Sequence, residues 1–292
     1  MSASDTLTLE WAGLRTTAAA AGEGPLVLLL HGFPDTRETW RHQVPALAAA
    51  GFRVVAPALR GYEPTSQPRD GDYSVATLAR DVLAWMDALG ADRAAIVGHD
   101  WGAAVAWAVA ALAPGRVERV AALAVPPLRR AQRMVMHQPS SLLPLWYMLF
   151  FQARGLSERA LLARDGALVR WLWSRWSPGY TADPSHLRAV VDALAQPGVA
   201  KAALSYYRAL ANPTSPRGRE SWRLLTAKTP VPALAIAGAD DGCLRADLLR
   251  RGTDLRDFPA GVRTVTIESA GHFMHLERPA VVHEILSQWL AR

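Results

Sequence analysis

Leu26-Val27-Leu28-Leu29-Leu30, Ala94-Ala95-Ile96-Val97, the run 121–125 and Pro232-Ala233-Leu234-Ala235-Ile236-Ala237 are short and almost wholly apolar. Such runs suit strands buried on both faces of a parallel sheet. Two N-terminal strands are expected near residues 6–20, after which strands alternate with helices as far as Val125. From about 126 to 226 the pattern is mostly helical. Strand-helix-strand-helix then returns, with Val262-Arg263-Thr264-Val265-Thr266-Ile267 as an alternating strand and a last helix near 279–290. This order predicts an α/β fold, a mostly parallel central sheet flanked by helices. Residues 1–125 and 227–292 would form the core, and residues 126–226 a helical cap inserted in it. With 292 residues and half of the composition hydrophobic, the chain is long enough for both.

Composition narrows the function classes. The formal charge is +6, but arginines are scattered and Lys201 and Lys228 are the only lysines, so a nucleic-acid surface is not expected. Arg129-Arg130 with Arg133 is the densest basic spot and reads as a solvated face at the cap junction. Cys243 is the single cysteine, which forbids an internal disulfide and suits a reducing compartment. No His/Cys cluster has metal-ligand spacing, and no metal or cofactor is expected. The opening Met1-Ser2-Ala3-Ser4-Asp5 lacks a basic, then apolar, secretory pattern, so a cytoplasmic protein is expected. The apolar run 142–151 is broken by Pro144 and falls short of the ~20 residues that cross a bilayer. It reads as cap, with no membrane partner; a monomer or homodimer is expected.

Chemistry concentrates at Gly98-His99-Asp100-Trp101-Gly102. A strand precedes this stretch and a small-residue helix, 103–110, follows it. Paired glycines permit a sharp strand-to-helix turn that presents the central side chain, here a carboxylate where serine is usual. An Asp is ionised at neutral pH without a base, because its ordinary pKa is about 3.9. It is suited to displacement at a saturated carbon, such as an epoxide or alkyl halide, giving an ester on the enzyme. Hydrolysing that ester requires a His-activated water, an acid that orients the His, and an oxyanion hole.

All three are present in the chain order nucleophile, acid, His. His272, in Gly271-His272-Phe273, follows the last strand; His275 is a competitor set further along. The acid lies in Gly238-Ala239-Asp240-Asp241-Gly242, where two carboxylates compete. The earlier strand end, 121–128, offers none. The turn His31-Gly32-Phe33-Pro34-Asp35 follows another strand, so the N–H groups of Phe33 and Trp101 are the expected oxyanion donors, and Phe33–Pro34 is a candidate cis bond.

Together His31-Gly32-Phe33-Pro34, Gly98-His99-Asp100-Trp101-Gly102, Gly238-Ala239-Asp240-Asp241 and Gly271-His272-Phe273 resemble the epoxide hydrolases of the α/β-hydrolase fold over nearly the whole chain. The Gly-x-x-Asp spacing of such hydrolases favours Asp241 as the acid and leaves Asp240 as a turn residue. The resemblance also implies two cap tyrosines that hold the epoxide oxygen. Leu145-Trp146-Tyr147 and Ser205-Tyr206-Tyr207 match them, at Tyr147 and Tyr207. A phenol of pKa near 10 can hydrogen-bond and protonate the developing alkoxide. Tyr206 points about 100° away on a helix and reads as packing. Phe33, Trp101, Tyr147 and Tyr207 would line the substrate site, the substrate being a small apolar epoxide and the product a diol.

Haloalkane dehalogenases share the Asp and the following Trp, and are the alternative. They would require an Asn in place of Phe33 or a donor Trp from the cap, which contains Trp146, Trp171, Trp173 and Trp176. Trp101 stands where fluoroacetate-type dehalogenases carry an Arg, so an anionic substrate is not expected. A third reading is a ligand receptor that retains the fold without turnover.

Overall fold

Eight strands form one sheet in the computed structural model, which describes residues 5–130 and 145–291: β1 (Asp5–Trp11), β2 (Leu14–Ala21), β3 (Leu26–Leu30), β4 (Arg53–Pro57), β5 (Ala94–His99), β6 (Val117–Leu123), β7 (Ala233–Gly238) and β8 (Val262–Ile267). Their spatial order is β1-β2-β4-β3-β5-β6-β7-β8. The pairs β1/β2 and β2/β4 are antiparallel and every later pair is parallel. The expected mostly parallel sheet is therefore found. Strands β3, β5 and β7 are buried on both faces: in β3, Leu26, Leu28 and Leu30 pack to one side, Val27 and Leu29 to the other.

Helices cover both sides. α1 (Gln43–Ala49) contributes Val44 and Leu47 to the same apolar layer as Val27 and Leu29, while α2 (Val75–Ala88) and α3 (Trp101–Leu112) pack on the opposite layer. Between β6 and β7 every described element is helical: a 3-10 turn at Leu128–Arg130, then α4 (Trp146–Phe150), α5 (Leu156–Trp176), α6 (Pro184–Ala195), α7 (Val199–Leu210) and α8 (Pro216–Leu225). Local chemistry sets their ends. Asp183 and Ser215 accept first-turn N–H bonds, with Pro184 and Pro216 just inside, where a missing N–H costs nothing. α5 is broken at Ala163–Gly166, whose backbone is not helical. After β7 come α9 (Ala246–Gly252), α10 (Met274–Glu277) and α11 (Pro279–Leu290), whose Val282, Leu286 and Trp289 complete the layer begun by α1.

Of the basic spot expected to be a solvated face, Arg129 is exposed and Arg130 half-buried, and both are ion-paired. Arg129 Nε lies 3.0 Å from Asp257 Oδ1, and Arg130 reaches Asp257 Oδ2 at 2.7 Å and Asp254 Oδ2 at 2.9 Å. The Asp257 side chain is largely buried, and a buried carboxylate is costly unless paired. Arg133 lies outside the described residues, as do 142–144 of the apolar run. Among the described residues no helix is long and apolar enough to cross a membrane.

Because β3, β5, β7 and β8 run parallel, the turns that follow them open on one edge of the sheet. Open α/β sheets place their ligands at that edge. The helices between β6 and β7 reach over it: Trp173 Nε1 donates to the Pro34 carbonyl at 2.9 Å, and the Tyr206 hydroxyl to that of Arg60 at 2.7 Å.

Candidate active site

Asp100 sits between β5 and α3 with φ 52° and ψ −117°, a strained conformation for a residue with a Cβ. The chain reaches it by bringing three backbones into contact. A Cβ on Gly98 would strike the Gly102 carbonyl, and one on Gly102 the Leu30 carbonyl of β3, so both positions need glycine. The Asp100 carbonyl then accepts the first helical bonds of α3, from Ala103 and Ala104 at 2.9 and 3.1 Å. Its carboxylate lies at the positive end of that helix.

The two oxygens of Asp100 have different surroundings. Oδ1 accepts the Phe33 N–H at 2.8 Å, while Oδ2 lies 3.5 Å from Nε2 of His272. Burial opposes ionisation of Asp100, but His272 and the Phe33 N–H outweigh it and hold the carboxyl below its ordinary range. Trp101 opens α3, and among the described residues no acceptor engages its N–H.

His272 follows β8. Its Nδ1 lies 2.9 Å from Asp241 Oδ2, its N–H donates to the Trp176 carbonyl at 3.1 Å, and its own carbonyl accepts from His99 Nε2 at 2.9 Å. Asp241 is fixed in turn, since Oδ1 accepts the N–H groups of Cys243 and Leu244 at 2.7 and 2.9 Å. Asp240 is exposed, and its backbone N–H donates to Ala270 in the turn. Burial disfavours the imidazolium, yet the flanking Asp241 and Asp100 carboxylates raise His272 to about 10. The arrangement is an imidazolium between two carboxylates, all three side chains buried.

The Phe33 turn is equally constrained. Phe33–Pro34 is cis. His31 accepts the Leu59 N–H on Nε2 at 3.0 Å and donates from Nδ1 to the Gly32 carbonyl at 3.0 Å, and burial pushes it down to about 4, so it stays neutral.

Tyr147 of α4 and Tyr207 of α7 are both buried, with ring centroids 5.8 Å apart. Tyr207 meets Trp101, Phe151 and Phe33 edge-on at 4.9, 5.0 and 5.4 Å, and Tyr147 packs on Trp176 at 5.2 Å. Trp176 itself meets the His272 ring at 5.0 Å. Burial, reinforced by the Asp100 charge, raises both phenols well above 10, so both keep their protons. The Tyr207 hydroxyl has no partner among the described residues, and Tyr147 Oη lies 3.4 Å from Cys243 Sγ. Neighbouring Tyr206 stacks on Tyr73, centroid to centroid 5.9 Å, with its hydroxyl spent on Arg60.

The fold thus gathers Asp100, Asp241, His272, Phe33, Trp101, Tyr147 and Tyr207, and leaves Asp240 and His275 aside. His275 is buried against Trp40, with Nε2 2.6 Å from Thr39 Oγ1. Among the cap tryptophans, Trp173 spends its N–H on Pro34 and stacks on Phe273 at 3.6 Å, while Trp146 and Trp171 are exposed. Three neighbours escaped the sequence reading. His99 supports His272 from within the Gly-His-Asp motif, Cys243 follows Asp241 by two residues, and Asp35, two beyond Phe33, lies 2.9 Å from His186 Nε2 of α6. Position within the motifs was a usable signal for the first two. Nothing in the sequence pairs Asp35 with His186. Among the described residues no group of three or more His, Cys, Asp or Glu is arranged for a metal.

Known proteins share this arrangement of elements. The family model for the alpha/beta hydrolase fold matches residues 25–279. Epoxide hydrolase A of Mycobacterium tuberculosis is 34% identical, over 95% of this chain and 94% of its own. The crystal structure of Epoxide Hydrolase A from Mycobacterium thermoresistibile is 31% identical, with a TM-score of 0.78 over 99% of this chain and 98% of its own. An epoxide hydrolase structure from Vigna radiata is 26% identical, with a TM-score of 0.81 over the same shares.

Proposed function

The chain belongs to the α/β-hydrolase fold family and is a hydrolase, and on that premise we propose that it converts an apolar epoxide to a vicinal diol through an ester on Asp100. The observation that carries this reading is the unlike environment of the two Asp100 oxygens: Oδ1 held by the Phe33 N–H at 2.8 Å, Oδ2 turned toward His272. Oδ2 is the attacking oxygen. As it displaces the epoxide oxygen from carbon, Tyr147 and Tyr207 hydrogen-bond that oxygen and one of them gives up its proton. Asp100 thereby loses its negative charge.

Loss of that charge changes His272. Its raised pKa rests on two carboxylates, and esterification removes one of them. His272 can now release the proton that restores the tyrosine, and as a neutral base take a proton from water. Asp241 holds the ring and stabilises the imidazolium that forms. Water attacks the Asp100 carboxyl carbon, charge gathers on Oδ1, and the Phe33 and Trp101 N–H groups meet it. Collapse of that intermediate breaks the ester bond, releases the diol and regenerates both carboxylate and imidazolium.

The helices between β6 and β7 act here as a cap, supplying both phenols and an aromatic wall suited to an apolar substrate. A haloalkane dehalogenase would use the same Asp, but Phe33 replaces the Asn donor, the Trp173 N–H is already committed and Trp146 and Trp171 are exposed, which leaves Trp176 beside His272 as the one cap tryptophan placed to be a halide donor. A panel of epoxides and haloalkanes, assayed for diol and for halide, tests the reading. Diol without halide is the expected result, halide from haloalkanes would reassign the reaction, and inert binding of both would make the protein a receptor.

A further inference from the structure

The two phenols are not equivalent. Tyr207 Oη is unpartnered among the described residues, whereas Tyr147 Oη lies 3.4 Å from the thiol of Cys243, which is itself buried. Cys243 is placed by the acid loop: its N–H donates to Asp241 Oδ1 at 2.7 Å, so the carboxylate that orients His272 also sets the sulfur against Tyr147. Resting on the epoxide-hydrolase reading, we propose that Cys243 is a positioning residue that donates its S–H to Tyr147 Oη and so makes Tyr147, rather than Tyr207, the proton donor to the opening epoxide.

Either atom can be the donor in this contact, and the thiol as donor is the arrangement that leaves the Tyr147 proton free for substrate. Burial, with the charges of Asp241 and Asp100, raises the thiol well above its ordinary range, so sulfur keeps its proton. The nearby acceptors are taken: Asp241 Oδ1 holds two backbone N–H groups and Oδ2 holds His272 Nδ1. Tyr147 Oη has lone pairs to spare, and a phenol that accepts an S–H keeps its own proton free for the substrate. Once that proton moves to the alkoxide, the phenolate left on Tyr147 keeps one hydrogen bond from the thiol. A phenolate on Tyr207 would have only the Trp101 indole N–H to turn to, and that group makes no hydrogen bond to Tyr207 Oη in the resting site. The proton later released by His272 returns Tyr147 to the phenol, so no charge is left over at the end of the turnover.

The test is a double-mutant cycle on the single-turnover rate of adduct formation, read by rapid quench and mass spectrometry. Cys243→Val fills the space without a donor and should slow alkylation about fivefold, the worth of one modest hydrogen bond. Cys243→Ser should hold the rate within about twofold of the parent, and ester hydrolysis should stay unchanged in both. In a Tyr147→Phe background Cys243→Val should have no further effect, whereas in a Tyr207→Phe background it should keep its full effect. An equal slowing in both backgrounds, failure of Ser to restore the rate, or slowing of ester hydrolysis alone would overturn the proposal. If Tyr147→Phe and Tyr207→Phe together leave adduct formation unchanged, it is the epoxide-hydrolase reading that fails.

Discussion

Replacing Asp241 by Asn should stop the enzyme after its first chemical step. Asp241 Oδ1 accepts two backbone N–H groups and Oδ2 faces His272 Nδ1 at 2.9 Å. An asparagine keeps its oxygen on the two N–H donors, because turning the amide around would set its NH2 against both. Its NH2 must then face Nδ1, which can accept only as a lone pair. The imidazole proton moves to Nε2, the nitrogen that should take a proton from water. In the serine-hydrolase triad the same swap costs roughly 10⁴-fold through the wrong tautomer, and a loss of that order is expected here for ester hydrolysis. Alkylation needs only the ionised Asp100 and the phenols, and should slow by less than about tenfold. The alkyl-enzyme should accumulate to near one equivalent, visible by intact-mass spectrometry after rapid quench while diol release by chromatography nearly stops. Asp240→Asn, altering an exposed turn side chain, should leave turnover within about twofold. If Asp240→Asn is the more damaging change in folded protein, or Asp241→Asn forms no adduct, the assignment of the acid is wrong.

Tyr147→Phe, which removes the proton donor, should slow adduct formation by roughly 10²-fold, the low end for general-acid help, Tyr207→Phe should slow it less, and the double variant should be nearly inactive in rapid-quench assays. Stability should fall on acidification. His31 and His99 are buried neutral, pushed down to about 4 and about 3, so the stability they carry is complete above the unfolded value of 6.5 and is lost as pH falls toward those values. At pH 5 each should cost about 2 kcal/mol, and denaturant midpoints that do not move between pH 7 and 5 would contradict this. His272 works in the opposite sense: raised to about 10, it contributes fully below 6.5 and loses its contribution as pH rises through 10.

The fold was legible where burial dictates pattern. β3, β5 and β7 are apolar because both faces are covered, and the Gly98 and Gly102 pair announces a turn that only glycine permits. The acid was legible as a choice between two neighbours, and the backbone bonds from Cys243 and Leu244 show what separates them. What could not be read were partnerships between distant segments. The pairing of Arg129 and Arg130 with Asp257 was hidden because that carboxylate lies more than a hundred residues away. The same holds for Tyr147 with Cys243 and for Asp35 with His186. Composition marks such residues as polar or reactive, but only the fold says which of them meet.

The covalent step is the central claim, and oxygen labelling tests it most directly. In a single turnover with enzyme in excess in ¹⁸O-water, the oxygen added to the epoxide carbon should come from the Asp100 carboxylate. The first diol should therefore be unlabelled, and the Asp100 peptide should gain the label, because water attacks the ester carbonyl and not the substrate. Label in the first diol, after subtraction of non-enzymatic hydration, with none on Asp100, would mean that Asp100 merely activates water and no ester forms.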